Sequence, residues 1–431
     1  MPDLSQPLLD ELCTEPRYPE FPWREDQMPP AYHGLSILNI PTTVAQWLGA
    51  PPLGVAPALD ARLREPLGAD IRQVILILVD GWGWYVFQQA RERGWLAPLE
   101  PFIEQGVLGV LTSIVPSTTA AAIPTFWTGR SAAEHGITGY EMWLKEFGTI
   151  ANMILHSPSF FQVGPGLLEK AGFKPEEYLP FPTMGPHLKA AGVETYAFQH
   201  HSIANSGLSR MLFREVNVAT FSGIADLWME LVAMLQKASP TQRRYVWVYW
   251  GLVDRFGHKK GPLDEQVFAE IRTILWSWKT FFLEAFPSEQ RRGTLVIFAA
   301  DHGMQATPPR TEFEVRRHPR LLQTLTLPPT GENRFIYLYP KPGRTKTMQA
   351  YFEETWPDTF TLLPARDVLR WRLLGPGDPH PALPDRIGHW VAIPHGDAYL
   401  WWSMKENELR GRHGGLNRTE MLVPFLAFRL D

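Results

Sequence analysis

One cysteine, Cys13, stands in 431 residues. Neither an intramolecular disulfide nor a cysteine-based zinc site is therefore available. Long apolar runs are missing as well: the longest clean aliphatic stretch, Val74 to Val79, is far below the roughly 18 residues of a membrane span. The first residues, MPDLSQPLLDELCTEPRYPEF, are acidic and proline-rich and lack the basic start and apolar core of a secretory signal. A cytoplasmic location without membrane association is the expectation. A charge excess is absent too, since 41 basic and 45 acidic residues give a net charge of −4. That balance supplies no global electrostatic reason to expect a nucleic-acid partner. No internal repeat and no long low-complexity tract is found. With 45% hydrophobic and 20% charged residues, wholesale disorder is excluded.

Proline is plentiful, and 11 of the 40 fall within the first sixty positions. Residues 1–68 read as an extended, turn-rich arm. Within it, PTTVAQWLG (41–49) predicts a short helix, with Thr42 or Thr43 as cap and Gly49 as stop. From Gln73 onward, apolar runs alternate with helical stretches. QVILILV, GVLGVLTSI, VETYAFQ, RYVWVYW, TLVIFAA and VPFLAFRL are rich in β-branched and aromatic residues and bounded by turn signals. Amphipathic segments at 226–238 and 265–286 lie between several of them. This alternation predicts an α/β fold with a mostly parallel central sheet and helices on both faces. The proline-rich span of about 305–405 reads as a cap inserted into one domain covering 69–431.

Three of the strand candidates run into aspartate: VILILV into Asp80, YVWVYWGLV into Asp254, and LVIFAA into Asp301. In open α/β sheets ligands sit outside the carboxyl ends of the strands. One aspartate there can be a helix cap, but three carboxylates at one edge repel unless a cation holds them together. Histidines accompany two of them, as Asp254-Arg-Phe-Gly-His258 and Asp301-His302-Gly303, and His413 stands in a glycine-rich loop before the last strand. Asp80, Asp254, His258, Asp301, His302 and His413 offer oxygen and nitrogen donors suited to zinc or manganese. Six ligands suit two ions, the arrangement that clamps both oxygens of an in-line phosphoryl displacement.

Position has to select among 13 histidines. His135, His156, His187 and His318 follow no strand–aspartate edge and read as structural. His380, His389 and His395 lie in the expected cap, away from that edge. His200 and His201 follow VETYAFQ and are placed to reach the mouth of the site. A nucleophile needs its own evidence, and Pro116-Ser-Thr-Thr119 supplies hydroxyls at a strand-to-helix junction, where free N–H groups favour anions. Such hydroxyls serve equally well as helix caps; next to a six-ligand set, one of them becomes a nucleophile candidate.

Together these residues resemble the alkaline phosphatase superfamily, and within it the type I phosphodiesterase/nucleotide pyrophosphatase branch. The matching pieces are Asp80-Gly81, PSTT followed by Thr128-Gly129 and Glu134-His-Gly-Ile, Asp254-x-x-Gly-His258-x-x-Gly261-Pro262, Asp301-His-Gly303, and His413-Gly. They keep the family's order over about 80–425. The resemblance implies an alkaline-phosphatase-like fold and two divalent ions, zinc or manganese. One would be held by Asp254, His258 and His413, and the other by Asp80, Asp301, His302 and the hydroxyl of Thr119. It also implies Thr119, rather than Thr118, as the nucleophile that becomes a phosphothreonine, and a small phosphoester substrate. The chain departs from the pattern at Ala122, where the branch carries asparagine, which leaves another donor, such as the Thr119 N–H or a cap residue, to bind the phosphoryl oxygen. Phosphomonoesterase or phosphonate hydrolase chemistry fits the same ligand set. A metal-stabilised binding module is the non-catalytic alternative, with Trp82, Trp84, Trp127, Trp143, Trp401 and Trp402 as sticky surface, pocket lining or core. A phosphoglycerate mutase would need a serine nucleophile and a long insertion, and a sulfatase its own nucleophile signature. Gly81-x-Gly83 lacks the third glycine of a dinucleotide fingerprint.

Overall fold

The computed structural model describes residues 3–14, 17–160, 164–239 and 241–431. Seven strands form the central sheet: β1 (Gln73–Val79), β2 (Val107–Thr112), β3 (Val193–His200), β4 (Asn217–Phe221), β5 (Arg243–Trp250), β6 (Thr294–Ala299) and β7 (Leu422–Arg429). Their order is β2-β7-β6-β1-β5-β3-β4. Only β7 runs against the others. Every residue of β1, β2 and β6 is buried, as expected for strands covered on both faces by helices. The α/β reading and its six expected strands are thus present. The seventh, β4, is an exposed edge strand whose NVATF pattern gives no apolar run.

Five helices position the site and its surroundings: α1 (Thr119–Thr128), α2 (Gly207–Leu212), α3 (Ile224–Lys237), α4 (Leu252–Lys260) and α5 (Glu265–Ser277). The register aligns the carboxyl ends of three neighbouring strands, with Val79 opposite Trp250 and Leu78 opposite Ala299. Whatever follows β1, β5 and β6 is therefore gathered at one edge.

Residues 3–14 and 17–67 differ from the expected extended arm. They form short helices whose Leu8, Leu12, Ile37, Leu38 and Val44 belong to the main core, and the Leu4 N–H donates to Leu108 O of β2 at 2.9 Å. Burying these apolar side chains offsets the entropy of ordering the segment. The helix expected at 41–49 spans Ile40–Trp47, with Gly49 following at φ +67°. Thr42 and Thr43 do not cap it: their hydroxyls donate to Leu53 O at 2.6 Å and Asn39 O at 2.8 Å.

A second, antiparallel sheet joins two stretches far apart in sequence. Phe360–Pro364, Trp390–Pro394, Phe335–Leu338 and Thr330–Glu332 continue into Glu141–Leu144, Thr149–Asn152 and Ser157–Pro158. The span 305–405 thus shares its sheet with the 141–158 segment. It also has an aromatic core of its own around Phe313, Tyr351, Trp356 and Tyr399. No helix among the described residues is long and apolar enough to cross a membrane.

Candidate active site

Asp80 leaves the end of β1 and Asp301 stands two residues past β6. Their loops touch, since Gly81 N–H donates to Asp301 Oδ1 at 3.2 Å. Gly81 has φ +73°, and a Cβ on it would stand 2.9 Å from Asp254 Cα. Only glycine fits this junction. Asp254 is not at a strand end as expected. After β5 stops at Trp250 the chain turns through Gly251 into α4, where Asp254 is the third residue and His258 follows one turn later on the same face. His413 follows the two-residue strand Gly411–Arg412, which is paired with Gln305–Ala306. Thr119 opens α1.

All six expected ligands converge. Donor atoms of Asp254, His258 and His413 lie within 4.8 Å of one another, and so do those of Asp80, Asp254 and His302. His258 Nε2 and His413 Nε2 lie 3.4 and 3.6 Å from Asp254 Oδ1. His302 Nε2 lies 3.5 Å from Asp80 Oδ1 and 3.4 Å from Asp301 Oδ2. Each imidazole is oriented by its other nitrogen: Nδ1 of His258, His302 and His413 faces the carbonyl oxygens of Gly411, Gly303 and Ser117 at 2.8, 2.9 and 3.1 Å. Donation from Nδ1 leaves every Nε2 lone pair aimed at the cluster, the arrangement metal-binding histidines adopt.

The electrostatics ask for a cation. Asp254 Oδ1 and Asp301 Oδ2 are buried without a hydrogen-bond partner, a costly state for a carboxylate oxygen unless an ion takes it up. Burial, then the Asp301 and Asp254 charges, push the Asp80 carboxyl well above its ordinary range. Burial, then His302 and His258, hold His413 well below the ordinary imidazole value, which keeps it a neutral ligand. The rings of His302 and His413 stack at 3.7 Å. The donor set therefore fits divalent metal ions.

The neighbouring threonines have separate tasks. Neither side chain caps α1: Thr118 occupies the cap position without a capping bond, and its hydroxyl donates to Glu332 Oε1 at 2.6 Å. Thr119 Oγ1 lies 3.0 Å from His302 Nε2 and 3.4 Å from Asp80 Oδ1, at a helix start whose N–H groups favour an anion.

The profile of the family "Type I phosphodiesterase / nucleotide pyrophosphatase" matches residues 74–416. The chain belongs to the type I phosphodiesterase/nucleotide pyrophosphatase family. It is a hydrolase of that type. No curated protein sequence matches it significantly. Among solved structures, mouse ectonucleotide pyrophosphatase/phosphodiesterase 5, an inactive form in complex with AMP, is similar over 83% of this chain and 88% of its own, with TM-score 0.61 and 17% identity. Phosphonoacetate hydrolase from Sinorhizobium meliloti, with phosphonoformate, is similar over 84% and 91%, with TM-score 0.59 and 17% identity. Likenesses at this identity show the shared fold.

In this family member a cavity of about 730 Å³ opens beside Asp80, Thr119 and Asp254. It is lined from the ends of β3, β4 and β5 and from α1, α2, α3, α4 and α5, with Ile154 from the 141–158 segment. The span 305–405, read from the sequence as a cap, contributes none of the lining. His200 lines the cavity and His201 does not. Five of the remaining histidines are engaged elsewhere: His135 with Thr125 and Ile137, His187 with Pro51 O, His318 with Tyr351, His380 with Ala382 N–H, and His395 with Thr361. His156 is fully buried, and His389 belongs to neither donor group. Ala122 is fully buried. Trp82, Trp84 and Trp127 are core, Trp402 is nearly so, and Trp143 and Trp401 pack half-buried against the two cores. Tyr249, which donates to Asp80 Oδ2, and Glu332 were not legible beforehand, because one sits inside an ordinary strand pattern and the other in a distant short strand.

Proposed function

We propose that this protein is a two-metal phosphoester hydrolase that works through a phosphothreonine on Thr119. The position of Thr119 carries the reading: a hydroxyl with no capping role, 3.0 Å from His302 Nε2 and facing the cavity. Asp254, His258 and His413 would hold one ion, and Asp80, Asp301, His302 and the Thr119 hydroxyl the other. Zinc suits this imidazole-rich set best, with manganese as the alternative. When bound, two such ions supply the Lewis acidity that lowers the pKa of a hydroxyl and neutralises charge on the phosphoryl and leaving oxygens.

Thr119 Oγ loses its proton to solvent and forms a bond to phosphorus as the bond to the leaving oxygen breaks on the opposite side, the leaving group departing with the bonding electron pair. The N–H groups at the start of α1 face the phosphoryl oxygens during this inversion, the task the sequence left open at Ala122. Water then displaces Thr119 Oγ in a second in-line step and restores the hydroxyl. The intact ligand set speaks against a purely structural metal module. A phosphonate hydrolase shares the fold, but the volume of the cavity favours an ester with a bulkier organic group.

Hydrolysis of bis-p-nitrophenyl phosphate and p-nitrophenyl phosphate, with zinc and then manganese, tests the reading and separates diesterase from monoesterase. Thr119→Ala should lose roughly a thousandfold or more in kcat while metal analysis still finds two ions per chain. Near-parental turnover in that variant would refute the covalent route, and undiminished activity of metal-free protein would refute the metal site.

A further inference from the structure

The cavity beside Thr119 has walls whose polar groups are largely spent on one another. Ser206 Oγ donates to Ser209 Oγ at 3.0 Å, and Ser209 Oγ reaches Gln199 Oε1 at 3.1 Å and Ile203 O at 3.0 Å. His200 Nδ1 is engaged by Ser202 Oγ at 2.7 Å, and its Nε2 by Ser222 O at 3.3 Å. Trp250 Nε1 donates to Glu270 Oε1 at 2.8 Å, and the Tyr249 hydroxyl donates to Asp80. Burial raises the Glu270 carboxyl above its ordinary value, and the bond from Trp250 offsets part of the rise.

What remains turned toward the interior is mostly aliphatic. Ile123, Ile154, Ile203, Ile224 and Leu252 line the space, all but Ile123 partly exposed, and the one partly exposed phenylalanine of the lining, Phe213, is packed on Trp127 with centroids 4.6 Å apart. The aromatic ring of Phe221 is already stacked on Trp250, with centroids 5.8 Å apart, and is buried. Arg255, exposed and next to Asp254, is the single Lys or Arg in the lining among the described residues. A nucleobase needs a free aromatic face and edge partners to be read, and these walls present little of either. An alkyl chain needs volume and dry apolar contact, and both are present.

From this we infer that the phosphoester turned over here carries an aliphatic chain, linear or branched, which fills the cavity while its phosphoryl group lies at Thr119. The inference rests on the hydrolase reading above and adds the class of substrate. Each methylene taken from water into such a cavity strengthens binding roughly threefold to fourfold. The gain continues with chain length until the space is full.

The test uses metal-loaded protein and p-nitrophenyl diesters of ethyl, butyl, hexyl and octyl phosphate, beside the p-nitrophenyl ester of thymidine 5′-monophosphate. In each, Thr119 Oγ bonds to phosphorus as p-nitrophenolate leaves, and water then releases the alkyl or nucleoside phosphate. The expected result is a kcat/KM that rises at least about a hundredfold from ethyl to octyl, with the octyl ester ahead of the thymidine ester. Ile203→Trp should flatten that rise, and Ile224→Trp supplies the same readout should the first variant fold poorly. A flat series with the thymidine ester preferred overturns this inference and leaves the hydrolase reading standing. A rise that survives in both folded tryptophan variants overturns it as well, because the chain then lies elsewhere. Failure to hydrolyse any of the esters overturns the hydrolase reading, and this inference with it.

Discussion

Thr118 and Thr119 are chemically alike, and only their partners separate them. The Thr118 hydroxyl is drawn to Glu332 Oε1, which also accepts the Tyr140 N–H at 2.7 Å. On its other side Glu332 presses on the His413 loop, where a Cβ placed on Gly414 would stand 2.5 Å from Glu332 Cβ. A carboxyl from the second sheet thus ties down the residue before the proposed nucleophile Thr119 and the loop carrying His413. Burial pushes the Glu332 carboxyl up to about 8, a rise that the bonds from Thr118 and Tyr140 offset only in part. If Glu332 serves by positioning, Glu332→Ala should lower kcat by roughly 10- to 100-fold, the usual cost of losing such a support. KM and metal content should stay near the parental values, and Glu332→Gln, which keeps an acceptor oxygen, should recover most of the loss. Steady-state kinetics with metal analysis decides; equal losses in the alanine and glutamine variants would disprove the positioning role. From sequence alone, two hydroxyls at a helix start fit capping and catalysis equally. The choice depends on a residue more than two hundred positions away.

At the level of elements, β1 and β6 were legible because all of their residues are buried, so that each reads as an unbroken apolar run. The aspartates behind them were legible for the same reason. Asp254 was legible as a member of the donor cluster but not as a helical residue, because Gly-Leu-Val after Trp250 looks like more strand. The second sheet was hidden: its strands are two to five residues long and pair across nearly two hundred positions, Glu141 with Gly331 among them. The cavity was hidden too, since side chains such as Ile203, Ile224 and Leu252 look like any core positions until their elements meet. Where the turns after β1 and β6 meet, space is tightest. A Cβ on Gly303 would lie 2.1 Å from Thr419 O and 3.0 Å from Gly83 Cα. Gly303→Ala must push these backbones apart at an overpacking cost of about 1–3 kcal/mol. Because Gly303 O is the acceptor for His302 Nδ1, the shift should also reorient a ligand. A zinc affinity at least tenfold weaker by competitive titration is expected; parental affinity in a folded variant would show that the turn has slack.

Across the whole molecule, the donor cluster sits where the two sheets meet, with β1, α4 and β6 supplying carboxylates and the loop before β7 supplying His413. Groups that do no chemistry also set the stability of the molecule, and two buried histidines show how. His135 accepts the Ile137 N–H at Nδ1, 3.1 Å away, and turns Nε2 toward Thr125 Oγ1 at 3.2 Å, so a second proton would face a donor. His156 is fully buried, and neither ring nitrogen has a hydrogen-bond partner among the described residues. Burial pushes both imidazoles down to about 3, below the roughly 6.5 of an unfolded chain. The unfolded state therefore binds protons that the native state refuses. Their contribution to stability is complete above about pH 6.5 and is lost as pH falls toward 3. At pH 5 each has given up about 2 kcal/mol, a large share of the roughly 5–15 kcal/mol of a typical domain. Urea unfolding should accordingly show a marked drop in stability from pH 7 to pH 5. His156→Phe, which removes one titrating ring and fills its space with apolar surface, should lower the pH slope between 6 and 4 by about 1.4 kcal/mol per pH unit. Carboxylates and ligands titrate alike in both proteins and cancel in that difference. A slope identical in variant and parent would mean that His156 takes up its proton in the folded state.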